Sequence, residues 1–243
     1  MRKAETITDQ RSGHEDRRDH NKAEQRNQNI TKFLFRHDRI LYDIFIGMGS
    51  VNIHDGFTEA ERGSVSTLYW EAFGRKLRPA FVDEATGLET LRTALRATRT
   101  LVAREKGHVL GICGFHQGRT GVADLGWASL RQSLSIVAAL RASFVLSLLA
   151  HREDPDALVL DGICVDQAAR GRGIGSSLLE AAANKARQTG AKTVKLSVID
   201  KNSRARALYE RHGFKPTGHE TLGPLASLYG FNGYTRMELN VRS

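Results

Sequence analysis

The stretch LVLDGICVDQAARGRGIGSSLLEAAANKA, residues 158–186, decides the fold. Residues 158–165 form a short apolar run that predicts a strand. Asp166-Gln167-Ala168-Ala169 then lead into the turn Arg170-Gly171-Arg172-Gly173-Ile174-Gly175, which opens a helix over about 173–189, stopped by Gly190. A strand, a glycine turn and a helix in that order suit an anion. The first turn of a helix leaves four backbone N–H groups unpaired and carries a partial positive charge. Glycines let the backbone approach phosphate oxygens closely, and the guanidinium groups of Arg170 and Arg172 add charge in a geometry that fits phosphate. The spacing differs from the two commoner phosphate loops: no GxxxxGK[ST] is present, and Gly171, Gly173 and Gly175 alternate rather than following GxGxxG.

Downstream, the pattern predicts a strand at 193–198, a helix at 203–212 ended by Gly213, and strands near 214–219 and 234–240. Upstream, strands at 99–104 and 108–116 meet at the hairpin turn Glu105-Lys106-Gly107. A helix is expected over 87–97. Another begins at the capping box Thr58-Glu59-Ala60-Glu61 and runs to about Gly74, with Val65, Leu68, Tyr69 and Ala72 on one face. Val51 and Ile53 alternate as in a short strand. Residues 127–150 break the strand rhythm. Leu134, Val137, Leu140, Phe144, Val145 and Leu148 recur at helical spacing and predict one long amphipathic helix. Its stripe packs on its own domain, lines a substrate site or meets a second copy of the chain as a homodimer. The glycine-rich segment 223–234 is expected as a loop in which Tyr229, Phe231 and Tyr234 serve either a substrate or the core.

The chain has 243 residues, 40% hydrophobic and 26% charged, which suits one globular domain with extras. Residues 1–29 mix both charge signs with almost no large apolar side chain, and 1–47 are read as a poorly ordered extension ahead of a folded body at 48–243. Met48 stands as an alternative start, against which the apolar segment 33–47 argues for a short helix or strand. Residues 1–30 lack the apolar segment of a secretory signal, and the central apolar run 142–150 is too short for a membrane span. Cys113 and Cys164 lie in apolar strand-like runs, which points to buried thiols in a reducing, cytoplasmic setting rather than a disulfide or a metal site. The formal charge of +9 fits nucleic acid, an anionic surface or a polyanionic small ligand. Zinc-finger spacing, an RNP-like aromatic motif and a basic stripe interleaved with aromatics are all missing, which disfavours nucleic acid.

The turn at 170–175 matches the acyl-CoA signature Arg/Gln-x-x-Gly-x-Gly/Ala, and NSRARALYERHGF (202–214) places Asn202, Ala205, Tyr209, Gly213 and Phe214 in a second pattern. With these two motifs in order, the chain resembles the GNAT superfamily of N-acetyltransferases. The resemblance is tight over 158–216 and loose over 50–241. It makes 127–150 an insertion between the family's third and fourth strands.

What the resemblance implies is an α/β fold with a mixed, mostly antiparallel sheet flanked by helices, its fourth and fifth strands parallel but splayed. Acetyl-CoA is the implied co-substrate, with no metal. Its pantetheine arm would pair with backbone of Ile163, Cys164 and Val165 and contact Asn202. The backbone N–H groups of Arg170, Gly171, Arg172, Gly173, Ile174 and Gly175 would hold the pyrophosphate, and Arg206 would reach a phosphate. Tyr209 is the implied general acid, since a phenol with a reference pKa of about 10 stays protonated at neutral pH. Asp161 matches the acidic position of the fourth strand and is the candidate general base, with His116 and His54 as substitutes. A carboxylate in the run LVLDGICV is costly to bury without partners, which favours a cleft; a solvent-facing strand residue is the alternative. The implied activity is acetyl transfer to a primary amine. The rivals are a silent acyl-CoA sensor, a nucleic-acid-associated protein and a dimeric scaffold.

Overall fold

Seven strands form one sheet in the order β1-β2-β3-β4-β5-β7-β6. They are β1 Asn52–Asp55, β2 Thr100–Glu105, β3 His108–His116, β4 Ala157–Val165, β5 Thr193–Ile199, β6 Lys215–Thr221 and β7 Gly233–Asn240. Every pairing is antiparallel except β4 with β5, so the fold is the mixed, mostly antiparallel sheet expected. The computed structural model describes residues 51–118, 120–147 and 154–241; the expectations on 1–47, the start at Met48 and Leu148 lie outside the described residues. No described helix is long and apolar enough to cross a membrane.

Two apolar layers enclose the sheet. On one side lies α5 (Ile174–Gln188), whose Ile174, Leu178, Leu179, Ala182, Ala183 and Ala186 are all buried against β2, β3 and β4. Tyr209 and Phe214, from α6 (Ser203–Arg211) and the turn after it, belong to the same cluster. On the other side lie α1 (Arg62–Leu77), α2 (Glu84–Ala94), α3 (Trp127–Ser133) and α4 (Ile136–Ser147).

The capping-box signal holds at the start of α1: the Glu61 carboxylate accepts the Thr58 N–H at 2.7 Å. Val65, Leu68 and Tyr69 face the core as expected, whereas Ala72 is exposed. The helix expected over 87–97 ends at Ala94, and two other helix boundaries differ from expectation for one reason. Gly74 lies inside α1 rather than at its end, and α2 begins at Glu84 rather than Gly87, with Asp83 as N-cap accepting the Thr86 N–H at 2.7 Å. Both glycines are packing sites for the Trp70 indole. A Cβ at Gly74 would stand 3.1 Å from the ring, and one at Gly87 only 2.3 Å.

The single helix expected over 127–150 is two. The chain extends at Leu134, where Arg131 donates to the Leu134 carbonyl, and Ser135 then opens α4 by accepting the Ala138 N–H at 3.4 Å. Serine at a helix start competes well for unpaired N–H groups, so the signal was present in the sequence. The break divides the expected stripe. Leu134 and Val145 are buried with Leu130, Ala139 and Ala142, while Val137, Leu140 and Phe144, together with Ile136, stay exposed. The expected loop 223–234 is also partly ordered: Ala226–Tyr229 form a short helix, α7, and Gly233 and Tyr234 begin β7. Tyr229 and Phe231 are core residues, the Tyr229 hydroxyl donating to the Val145 carbonyl at 3.3 Å.

Candidate functional site

β4 and β5 pair only through Ala157–Thr193, Leu158–Val194 and Val159–Lys195. Beyond Val159, β4 stays paired with β3 to Val165, and β5 stays paired with β7 to Ile199. The two strands therefore part, leaving an opening lined by strand edges whose backbone groups lack their usual ladder. Ile163, Cys164 and Val165 lie along its β4 edge, opposite Cys113, Ile112 and Gly111 of β3.

At the far end of that edge the chain turns into α5. Asp166 accepts the Ala168 N–H at 2.8 Å, and the Arg170 side chain donates through Nε to the Val165 carbonyl at 3.2 Å. Gly171 and Gly173 adopt left-handed φ angles of 86° and 78°, which other residues resist. Among the described residues a Cβ on either would meet nothing within 4 Å, so the turn presents bare backbone. Gly175 serves differently: its Cβ would lie 3.2 Å from Leu208 of α6, so it sets the approach of two helices. Ile174 is buried, which leaves only its backbone for a ligand. Arg172 is held by Glu105 of the β2–β3 hairpin at 2.5 and 3.2 Å and keeps that carboxyl below the usual range. To meet a phosphate it must exchange that partner.

Asn202 caps α6, its Oδ1 accepting the Ala205 N–H at 3.0 Å, and Arg206 donates to Glu210 at 2.9 Å on the exposed side of the helix. Tyr209 is buried, its ring 5.9 Å from that of Phe214. Burial, and then the neighbouring Cys113 and Cys164, push its phenol well up, so it remains protonated at neutral pH. Among the described residues its hydroxyl has no hydrogen-bond partner.

Asp161 lies on the opposite side of the sheet, at a β-bulge. Phe115 pairs with Leu160 and Gly114 with Gly162, which leaves Asp161 as the extra residue. Before the bulge Leu158 and Leu160 face α5; after it Ile163 and Val165 do, while Cys164 faces the α1 side. Asp161 and Gly162 are thus successive residues on the α1 side. A Cβ on Gly162 would stand 1.9 Å from Phe73 of α1, so glycine is what lets the helix sit there. The Asp161 carboxylate takes His116 Nδ1 at 2.9 Å and the Val122 N–H at 3.3 Å. Tyr69 of α1, its ring tilted against that of Phe73 with centroids 4.6 Å apart, is also close: burial, then the Asp161 charge and Cys164, hold its phenol far above the ordinary value.

The glycine turn and Tyr209 were thus legible as separate motifs, and the parting strands as what the resemblance implies. The partnership of Asp161 with His116 was not, because 45 residues separate them and only the pairing of β3 with β4 brings them together. Cys113 and Cys164 are free and buried, and burial pushes both thiols up. Among the described residues no group of three or more His, Cys, Asp or Glu could hold a metal.

Residues 63–214 match the model of the acetyltransferase (GNAT) family. A mycothiol acetyltransferase of Beutenbergia cavernae is 48% identical over 52 residues, which are 21% of this chain and 18% of that protein. An N-acetyltransferase from Staphylococcus aureus Mu50 superposes with a TM-score of 0.58 at 18% identity, over 77% of this chain and 100% of its own. A GCN5-related N-acetyltransferase from Kribbella flavida does so with a TM-score of 0.52 at 18% identity, over 79% and 98%. At these identities the two structures are alike in fold.

Proposed function

The chain belongs to the GNAT acetyltransferase family, and from that premise we propose that it transfers acetyl from acetyl-CoA to a primary amine by direct attack. The observation that carries this reading is the parting of β4 and β5 beyond Val159, with the bare glycine turn at one end and a buried phenol beside it. The edge at Ile163, Cys164 and Val165 offers backbone to a pantetheine arm. The turn from Arg170 to Gly175 offers N–H groups and a helix N-terminus to a pyrophosphate, with Asn202 and Arg206 flanking it. Acetyl-CoA fits this cradle because, among the described residues, nothing comes within 4 Å of a Cβ placed on Gly171 or Gly173.

In the reaction the amine lone pair attacks the thioester carbonyl carbon, an N–C bond forms and the C–S bond breaks. Backbone N–H groups at the β4 bulge polarise the carbonyl oxygen. Tyr209 donates its proton to the departing sulfur from the α5 side. Asp161 supplies, from the α1 side, the negative charge that draws the proton off the amine. The two proton-handling groups stand on opposite sides of the sheet, so neither quenches the other.

Acetyl-CoA titrated calorimetrically into the full chain binds in the micromolar range, about −8 kcal/mol, and Gly173→Glu abolishes the heat by adding a Cβ at a left-handed φ and a negative charge in the cradle. Absence of heat with the parent, together with no displacement of a longer acyl-CoA, would sink the reading. A panel of primary amines followed by thiol release then assigns the acceptor, and amines related to mycothiol belong in it because of the 52-residue match. The buried free thiols fit a reducing, cytoplasmic setting. The exposed stripe Ile136, Val137, Leu140 and Phe144 suits a second copy of the chain.

A further inference from the structure

We propose that the amine acceptor carries a carboxylate or phosphate of its own, and that Arg75, Lys76 and Lys201 bind that group at the rim of the opening between β4 and β5. This rests on the acyl-transfer reading above. The three side chains meet at one turn, Gly230-Phe231. Lys76 Nζ stands 5.6 Å from the centre of the Phe231 ring. Lys201 Nζ donates to the Gly230 carbonyl at 3.3 Å. A Cβ on Gly230 would lie 3.7 Å from Arg75 Cδ, so the Arg75 stem packs on the same glycine. Neighbouring side chains fix the turn. Tyr229 is buried with its hydroxyl on the Val145 carbonyl, and Phe231 is buried beside it.

Nothing among the described residues neutralises this cluster. The side chains of Arg75 and Lys76 make no ion pair or hydrogen bond there, and Lys201 has a carbonyl rather than an acid. Acids of the neighbouring chain are engaged elsewhere: Asp200 takes His219 at 3.1 Å, and Glu84 takes Arg78 and the Trp70 indole. Glu71, four residues before Arg75, forms no ion pair with it. Burial pushes the Lys76 ammonium down, with no acid beside it to hold it up. The Phe231 ring attracts that ammonium through its π face but brings no charge. The C-terminus of α1 favours cations in its last turn, which accounts for Arg75 and Lys76. It does not account for Lys201, which arrives from the end of β5.

The place is where an acceptor would enter. β5 leaves β4 beyond Lys195 and runs on beside β7 to Ile199, so Lys201 follows the strand that forms the far edge of the opening. α1 spans the opening on its own side. Its Phe73 lies against Gly162 of β4, and one turn later Lys76 lies against Phe231, two residues before β7. An amine approaching the acetyl carbon from the α1 side passes these cations. Lysine and arginine hold carboxylate and phosphate by charge-assisted hydrogen bonds. Lys76 is half-buried, so the group that reaches it belongs to a small molecule rather than to the surface of a folded protein.

The experiment measures kcat/KM for acetyl transfer by the full chain, through thiol release, on matched primary amines. The pairs are glycine beside glycinamide, β-alanine beside β-alaninamide, and phosphoethanolamine beside ethanolamine. The anionic member of the carboxylate or of the phosphate pairs is preferred by about 10-fold or more, and which pair shows it tells the two groups apart. Lys76→Met keeps an unbranched stem on Phe231 and removes the charge. It brings that ratio toward one through a higher KM for the anionic amine, with the acetyl-CoA dissociation constant unchanged. Comparing the ratio between parent and variant cancels differences in amine basicity. Arg75→Gln, at an exposed position, lowers the ratio in the same direction and carries the test if Lys76→Met does not fold. Neutral amines turned over as well as anionic ones overturn the proposal, as does a preference that survives in the folded variants. Acetyl-CoA bound with no amine of the panel acetylated overturns it too. A parent that binds no acetyl-CoA instead overturns the acyl-transfer reading beneath it.

Discussion

On the α5 side of the sheet, hydrocarbon runs from Leu101 to Val241 with one phenol, Tyr209, set into it. On the α1 side the packing is interrupted by ions. Arg104 and Glu61 pair there, 17% and 16% exposed, His116 and Asp161 meet at the bulge, and the outermost layer ends in the bare stripe of α4. The first side is a closed platform that fixes the turn at 170–175 and the phenol, where any loss of volume is felt. The second holds charge, and its energetics depend on pH and on what covers it.

Four measurements press on that contrast. Leu178 is fully buried on α5, so Leu178→Ala is expected to cost about 2–5 kcal/mol in denaturant unfolding. A loss below 1 kcal/mol would mean that the platform is not closed. Tyr209→Phe is expected to lower acetyl transfer by about 10²-fold, close to 2.7 kcal/mol of barrier, while leaving acetyl-CoA binding and stability near parental values. Unchanged turnover would remove the phenol from the chemistry. Glu61→Gln on the other side is expected to cost about 1–2 kcal/mol at pH 7 after solvent screening. The Arg104 guanidinium beside Glu61 lowers its carboxyl from 4.5 to about 2. The contribution is therefore complete above about pH 4.5 and fades as pH falls toward 2, so parent and variant should converge in acid. A constant gap across that window would show that shape rather than charge holds the pair. The smallest effect belongs to Leu140→Asp with Phe144→Asp. At high dilution the pair should change unfolding by less than about 0.5 kcal/mol, while size-exclusion at high concentration reports whether a second copy is lost.

The same contrast explains what could be read from the sequence. On the α5 side local signals agree: the run at 158–165, the glycine turn and the spacing of Leu178, Leu179, Ala182 and Ala186 all point to one strand, one turn and one helix, and the observed bounds differ by a residue or two. On the α1 side they conflict. Gly74 and Gly87 read as helix ends because a glycine usually breaks a helix, yet each is a notch for the Trp70 ring, a demand made by a distant residue. Residues 127–150 read as one helix because apolar periodicity outweighed Ser135. Gly162, an isolated glycine in a strand, sits at the bulge, but only the pairing of β4 with β3 brings Asp161 to His116. The resemblance supplied the idea of splayed strands, and the periodicity of the chain alone did not.

The bulge in β4 also has the character of a phase shift. Strand side chains alternate like the crests of a wave, and a slip of one residue reverses every crest beyond it. Asp161 and Gly162 sit on the same side and so absorb one residue: losing either would remove the bulge and leave Ile163, Cys164 and Val165 facing as they do, whereas losing a residue from 163–165 would exchange the sides of those after it. Sequence length in this strand, and not only sequence identity, is therefore under constraint: a homologue could change several of these side chains with less consequence than losing one.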